Sequence, residues 1–248
     1  MLPDLKPKIN LPQEFVQLQR FAVVDIETTG LDPATEKIIE IASVIVSENR
    51  IVGELSLLLN PGIPIPAVTS KIHGLYDDDV VSALSIDEGL ARFEYFVEEI
   101  PLIAHNANFD FAFIQNALGY PLPNKLYDSV ALARSVLADQ SSFGLNALCQ
   151  HYEIINEQAH RALSDTRATA QVIMALINDF KNTPEDQRLL LFKASARNTY
   201  AIRGELKNAG FRWHRDLSLW GIYLSMSQVE KNENTYLYKG FQIVPHEF

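Results

Sequence analysis

The stretch "FAVVDIETTG", Phe21 to Gly30, constrains the fold most, because it places two carboxylates in a segment whose other residues belong in an interior. Phe21, Ala22, Val23 and Val24 form a short apolar run of the kind found in a buried strand, and Thr28-Thr29-Gly30 supplies the turn that ends it. Side chains alternate across a strand, so Asp25 and Glu27 project from one face while Val24 and Ile26 take the other. Two anions on one face of an interior strand call for a shared cation.

The following residues indicate which fold carries this strand. "KIIEIASVIVSENRIVGELSLLLNP" reads as a second and third strand joined by a polar turn, and the proline-rich "PGIPIPAVTSKIHGLYDDDV" as an irregular crossing segment. "SIDEGLARFEYFVEEI" opens with Ser85 and Glu88 in capping-box spacing and sets Leu90, Phe93, Val97 and Ile100 on one helical face. "LIAHN" is a fourth short strand, "NFDFAFIQNALG" a helix stopped by Gly119, and "LYDSVALARSVL" and "GLNALCQHYEI" read as helices. "RALSDTRATAQVIMALINDF" closes the first domain as a long helix. Strands followed by strand–helix alternation imply an α/β fold with a mixed sheet flanked by helices.

At 248 residues, 47% hydrophobic and 21% charged, the chain has the composition of a globular protein with a substantial core. No run approaches the ~18 apolar residues of a membrane span. The opening "MLPDLKPKINLPQEF", broken by three prolines, lacks the apolar centre of a signal peptide, so no membrane and a cytoplasmic location are expected. The single Cys149 excludes an intrachain disulfide and a multi-cysteine zinc site. Net charge is −10 but unevenly divided: residues 1–180 hold 11 Lys+Arg against 24 Asp+Glu, and residues 181–248 hold 10 against 7. A balance of −13 thus precedes one of +3.

Two further carboxylates fall on helix faces that should pack inward. Asp110 shares a face with Ile114 and Leu118, and Asp165 with Thr169, Val172 and Leu176. Each alone reads first as a helix-cap or dipole partner. Together, Asp25, Glu27, Asp110 and Asp165 would repel one another unless cations lie between them, and no Lys or Arg is expected to neutralise them. Oxygen-only ligation indicates Mg²⁺ or Mn²⁺. Two such ions about 3.5–4 Å apart suit in-line phosphoryl displacement. In "HRALSD", His160 stands five residues before Asp165 on a loop leading into the helix, where an imidazole titrating near neutral pH could take a proton from water.

"VVDIETTG", "HNANFD" and "HRALSD" resemble, in order and spacing, the three exonuclease motifs of the DnaQ-like superfamily in its histidine (DEDDh) branch, whose fold resembles ribonuclease H. The similarity covers about residues 20–178 and extends through "EKIIEIASVIV", "IHGLYDDDV", "LYDSVALAR" and "LNALCQHYEI" to the proofreading epsilon subunits of bacterial replicative DNA polymerases. The resemblance implies a 3′-to-5′ exonuclease that hydrolyses terminal phosphodiester bonds of DNA, preferably single-stranded, and releases nucleoside 5′-monophosphates. Asp25, Glu27, Asp110 and Asp165 would hold two metal ions and His160 would be the general base. Thr28 and Thr29 would meet the terminal nucleotide, with Leu31 near its base. His105, Asn106 and Phe109 would line the same cleft, although His105 and Asn106 read equally as a turn holding Asp110, and Phe109 as core. An RNA exonuclease of the oligoribonuclease or RNase T type, and a non-catalytic polymerase or clamp accessory, are the alternatives.

The expected organisation is an N-terminal extension at 1–19, the exonuclease domain at 20–180, a linker at 181–192 and a small module at 193–248. Gln187, Leu190 and Phe192 in "QRLLLF" match the short pattern by which bacterial replication proteins dock on the sliding clamp, or else pack into the module. In the module, Trp213 and Trp220 on an expected hairpin, with Arg203, Lys207, Arg212 and Arg215 interleaved, read either as a base-stacking platform or as a small core.

Overall fold

The computed structural model describes residues 5–9, 12–137, 140–214, 218–232 and 235–246. Its first sheet is built around β1 (Arg20–Thr28) and β2 (Ile38–Ser47), whose apolar runs are buried almost throughout. β3 (Arg50–Asn60) returns antiparallel to β2 through a tight turn in which Glu48 and Asn49 both adopt positive φ, the geometry of a type I′ hairpin. The short strands β4 (Leu84–Ser85), β5 (Leu102–Ala104) and β6 (Leu126–Asp128) complete the order β4-β3-β2-β1-β5-β6. β1 runs antiparallel to β2 and parallel to β5, which makes the sheet mixed, as expected.

Among the described residues the helices are α1 (Pro12–Phe15), α2 (Ala67–His73), α3 (Asp77–Val80), α4 (Ile86–Val97), α5 (Ala107–Leu118), α6 (Ser129–Val136), α7 (Leu145–His151), α8 (Ala162–Asn182) and α9 (Arg203–Asn208). None is long and apolar enough to cross a membrane. α4 carries the anticipated capping box, with the Ser85 hydroxyl accepting from the Glu88 N–H and the Glu88 carboxylate accepting from the Ser85 N–H. α5 ends at Gly119, whose φ of +77° lets its N–H donate back to Gln115. Two local expectations are corrected. The "irregular" crossing segment contains α2 and α3, because α2 starts directly after Pro66, where the missing proline N–H would be unpaired in any case. "LYDSVALARSVL" is a strand before it is a helix, since Leu126 and Tyr127 are buried beside β5.

The chain forms two compact units, Met1–Val130 with Ser142–Ala175 and Ala131–Ser141 with Leu176–Phe248. The second unit has its own sheet, in the order β10-β11-β12-β7-β9-β8. It comprises β7 (Leu189–Ala194), β8 (Arg212–His214), β9 (Leu219–Ser225), β10 (Glu230–Asn232), β11 (Thr235–Tyr238) and β12 (Phe241–Pro245). Its core is Phe192, Leu206, Phe211, Leu224 and Ile243. The linker expected at 181–192 is therefore corrected: α8 runs to Asn182 and residues 189–192 form a central strand, because Leu189, Leu191 and Phe192 are buried. The clamp-docking reading of Gln187, Leu190 and Phe192 fails for the same reason. Phe192 is fully buried and Leu190 packs against the same core, so neither is presented to a partner. Trp213 and Trp220 face each other across β8 and β9 with ring centroids 6.1 Å apart. Trp220 joins the core while Trp213 is 50% exposed; Arg215 lies outside the described residues.

The packing of α4 on β3 rests on Gly89. A Cβ there would lie 2.1 Å from Leu59 Cδ2, and Leu59 is fully buried. Gly89→Ala should therefore destabilise the protein by about 1–3 kcal/mol, the usual cost of overpacking, despite the better helix propensity of alanine. Urea denaturation checks this; an unchanged midpoint would mean that α4 can lift from the sheet at no cost.

Candidate active site

The site forms at the C-terminal end of β1. β5 pairs with β1 only as far as Val24 opposite Ala104, so beyond that point one edge of β1 is released from strand pairing. Asp110, in the first turn of α5, fills the position: its buried carboxylate accepts from the Ile26 N–H as well as from its own. α5 is led in by Asn106 at φ +71°, a left-handed conformation that asparagine adopts more readily than most residues. On the other edge, Glu27 faces Glu40 of β2, and the register shifts between Glu27 and Thr28. Asp25, Glu27 and Asp165, the last from the first turn of α8, bring one carboxylate oxygen each to within 4.8 Å of one another.

This crowding is unfavourable for the anions. Burial, then Asp110, Glu27, Asp165 and Glu40, hold the Asp25 carboxyl well above the usual carboxylate range. Burial, followed by Asp165, Glu40 and Asp110, pushes Glu27 up to about 8, with Arg161 acting weakly in the opposite sense. Burial raises Asp110 as well, against its two backbone hydrogen bonds. Oxygen donors alone, clustered and short of compensating charge, suit a hard divalent cation such as Mg²⁺ or Mn²⁺.

Asp165 is oriented from the loop before α8. Its Oδ1 accepts from the Asn156 side-chain amide, and its Oδ2 from the His160 N–H at 2.9 Å. Asn156 is itself held by the Ser164 hydroxyl, which donates to its Oδ1 at 2.7 Å. His160 is exposed and adopts φ +66°, a conformation that costs a non-glycine residue about 1–3 kcal/mol unless its surroundings impose it. A cavity of about 430 Å³, lined in part by Gly144, Asn146, Gln150, His160 and Asp165, opens beside this loop.

The remaining expected positions divide. The Thr28 hydroxyl donates to the Gly30 carbonyl, and that of Thr29 donates to Glu36 and accepts from the Lys37 N–H. Both residues are buried, and their hydroxyls hold the turn after β1. Leu31, by contrast, is 85% exposed at the tip of that turn. His105 Nδ1 pairs with the Ser129 hydroxyl at 2.8 Å, and burial lowers its pKa to about 4, which keeps the ring neutral near pH 7. Asn106 donates its N–H to Asp128, and Phe109, partly buried, packs against the core with its ring tilted by 51° to that of Phe113. Cys149 is buried on α7.

Four neighbours of the site were not anticipated. Glu40 is fully buried and ion-paired with Arg161, which corrects the expectation that no cation stands near the carboxylates. Both could be found in the sequence: Glu40 is the lone charge in "IIEIASVIV", and Arg161 follows His160 directly. Asn156 gave no such signal. His73, buried at the end of α2 and within electrostatic reach of Glu40, Arg161 and His160, accepts from the Leu75 N–H through Nδ1, which leaves the proton on Nε2.

An acid whose pKa is higher in the fold than in the open chain keeps an extra proton in the fold between the two values. For Glu27 that window runs from 4.5 to about 8, so its contribution favours the fold at low pH and declines as pH rises through it. In chelator, the melting temperature should fall between pH 5 and 8, and added Mn²⁺ should raise it more at pH 8 than at pH 5.5. Differential scanning fluorimetry checks this; a metal-free melting temperature that climbs over the same range would contradict the crowding.

Comparison with known proteins agrees with this architecture. Residues 22–173 match the family model RNase_T, described as Exonuclease. The DNA polymerase III PolC-type of Caldanaerobacter subterraneus subsp. tengcongensis is 36% identical over 180 residues, which is 71% of this chain but 13% of that protein. That of Thermotoga maritima is 36% identical over 165 residues, 65% of this chain and 12% of that protein. The chain thus spans only about an eighth of the length of these curated relatives. Among solved structures, Exonuclease X in complex with 5′ overhanging duplex DNA is 28% identical, with a TM-score of 0.56 over 64% of this chain and 91% of that one. E. coli Exonuclease I in complex with a dT13 oligonucleotide shares the fold at 16% identity and a TM-score of 0.56, covering 74% of this chain and 49% of that one. With a family model matching most of its length over the segment that holds all four carboxylates and His160, the chain belongs to the exonuclease (RNase_T) family.

Proposed function

We propose that the protein is a metal-dependent 3′-to-5′ exonuclease that hydrolyses the terminal phosphodiester bond of DNA and releases nucleoside 5′-monophosphates. The observation that carries this is the convergence of Asp25, Glu27 and Asp165 to within 4.8 Å, with His160 tied by its own N–H to Asp165. Asp25, Glu27, Asp110 and Asp165 would hold two divalent cations, which supply charge stabilisation at the attacking and leaving oxygens. The chain's own contribution is positional. His160, exposed on its loop, takes a proton from the attacking water as the water oxygen bonds to the terminal phosphorus and the bond from phosphorus to the preceding 3′-oxygen breaks. Asp165 fixes the backbone of that base while contributing to the acidic cluster. Leu31 offers an exposed apolar surface to the terminal base.

The choice of DNA draws on Exonuclease X, whose structure is that of a complex with overhanging duplex DNA, and on the polymerase relatives. Oligonucleotides of matched sequence, as DNA and as RNA, labelled at the 5′ end and digested with and without metal, test the proposal. DNA should shorten from its 3′ end with Mg²⁺ or Mn²⁺ and stay intact in EDTA. Faster loss of RNA would reassign the substrate, and undiminished hydrolysis in EDTA would reject the carboxylate site.

His160→Ala should lower turnover by about 10² to 10⁴, the usual contribution of a positioned base, without unfolding the protein. A variant as fast as the parent at neutral pH would place the base elsewhere.

A further inference from the structure

Glu40 is a buried carboxylate that none of the chemistry above uses. It stands on β2 opposite Glu27, 1% exposed, and each of its oxygens has protein partners. Oε2 accepts from Arg161 Nε at 3.2 Å and from the Ala162 N–H at 3.4 Å, while Oε1 accepts from Arg161 Nη2 at 3.5 Å and from the Ser56 hydroxyl at 3.2 Å. Arg161 and Ala162 are the two residues that follow His160. On the near side, the His160 N–H is held by Asp165. The left-handed residue at φ +66° is therefore fastened on both sides, to Asp165 through its own amide and to the sheet through its successors. A strained backbone persists only where its surroundings over-determine it.

We infer that Glu40 and Arg161 form a positioning clamp that imposes the left-handed turn at His160 and so aims its imidazole at the attacking water. The inference rests on the reading of His160 as the base. A buried anion opposite Glu27 adds repulsion to a crowded site, and a well-packed apolar residue at position 40 would avoid it. What Glu40 provides is direction: the Arg161 fork and the Ala162 amide converge on one carboxylate, which pins the start of α8 to β2 in one rotation. Arg167, on the same helix, also pairs with the sheet, donating Nε to Glu54 Oε1 at 2.9 Å, but it lies seven residues beyond His160 and is half-exposed. It serves as a control for tethering the helix as such.

The test is steady-state kinetics on the full chain, normalised to folded protein, for Glu40→Gln, Arg161→Gln and Arg167→Ala, each in the parent and in the His160→Ala background. Arg161→Gln strands a buried carboxylate and could fail to fold. Glu40→Gln keeps its shape and one acceptor and frees only a partly exposed guanidinium, so it carries the test alone if necessary. Both clamp variants should lower kcat by about 10- to 100-fold with little change in KM, as misplacement of a catalytic group does. In the His160→Ala background neither should lower kcat further, because the base they aim is gone. Amide exchange at His160 and Ala162 should quicken in Glu40→Gln and stay at the parent rate in Arg167→Ala. Since the two clamp substitutions remove opposite charges, effects carried only by the electrostatic field on the carboxylates would move kcat in opposite directions. That outcome, parent-like kcat in Glu40→Gln, or an equal loss with His160 absent, would overturn the clamp. If His160→Ala itself were fully active, the reading of the base would fall, and the clamp's catalytic role with it.

Discussion

Repulsion among carboxylates at the end of β1 is the constraint around which the first unit is arranged. Asp25 and Glu27 are tied to one strand face by the alternation of side chains, and burial together with Asp110 and Asp165 drives their affinity for protons upward. Such a cluster is sustained only by favourable terms elsewhere. Here they come from β1 and β2, whose residues are almost all buried, and from the contacts of Phe93, Phe111 and Ile114 on the same core. The stability of the sheet supports an arrangement that is locally unfavourable, and that arrangement is suited to capture cations.

Each member of the site also stands where a regular element starts or stops. Asp25 and Glu27 lie near the end of β1, Asp110 and Asp165 in the first turns of α5 and α8, and His160 in the loop just before α8. Helix starts are rigid enough to fix a carboxylate and open enough to leave it accessible on one side. The two positive-φ asparagine and histidine residues that lead into α5 and α8, Asn106 and His160, are the strained points that set those directions. Asp165 links the two functions, because the carboxylate that joins the acidic cluster is also the one that holds the His160 backbone.

Much of this was legible in the sequence because its signals are local. The apolar run of Phe21–Val24, the capping box at Ser85 and Glu88, the stop at Gly119 and the spacing of His160 and Asp165 each depend on a few neighbouring residues. What escaped depends on distant partners. β6 is three residues long and runs straight into α6, so its strand character comes from lying beside β5 and not from any pattern of its own. "QRLLLF" leaves docking and core packing both open until β9 and β12 pair with β7 on either side of Phe192. The hydroxyls of Thr28 and Thr29 look available until Glu36 and Lys37 fold back on the turn. Glu40 and Arg161 each carry a local signal, but they are far apart in sequence and their pairing appears only in the fold.

The central claim is that the carboxylates of this site share protons when no cation is present and give them up when one binds. Calorimetric titration with Mn²⁺ near pH 7, repeated in buffers of differing ionisation enthalpy, measures the protons released. With Glu27 raised to about 8 and Asp25 held well above the usual range, binding should expel at least about one proton per chain. Metal binding with the same apparent enthalpy in every buffer would mean that the carboxylates are already ionised without a cation, and would contradict the account.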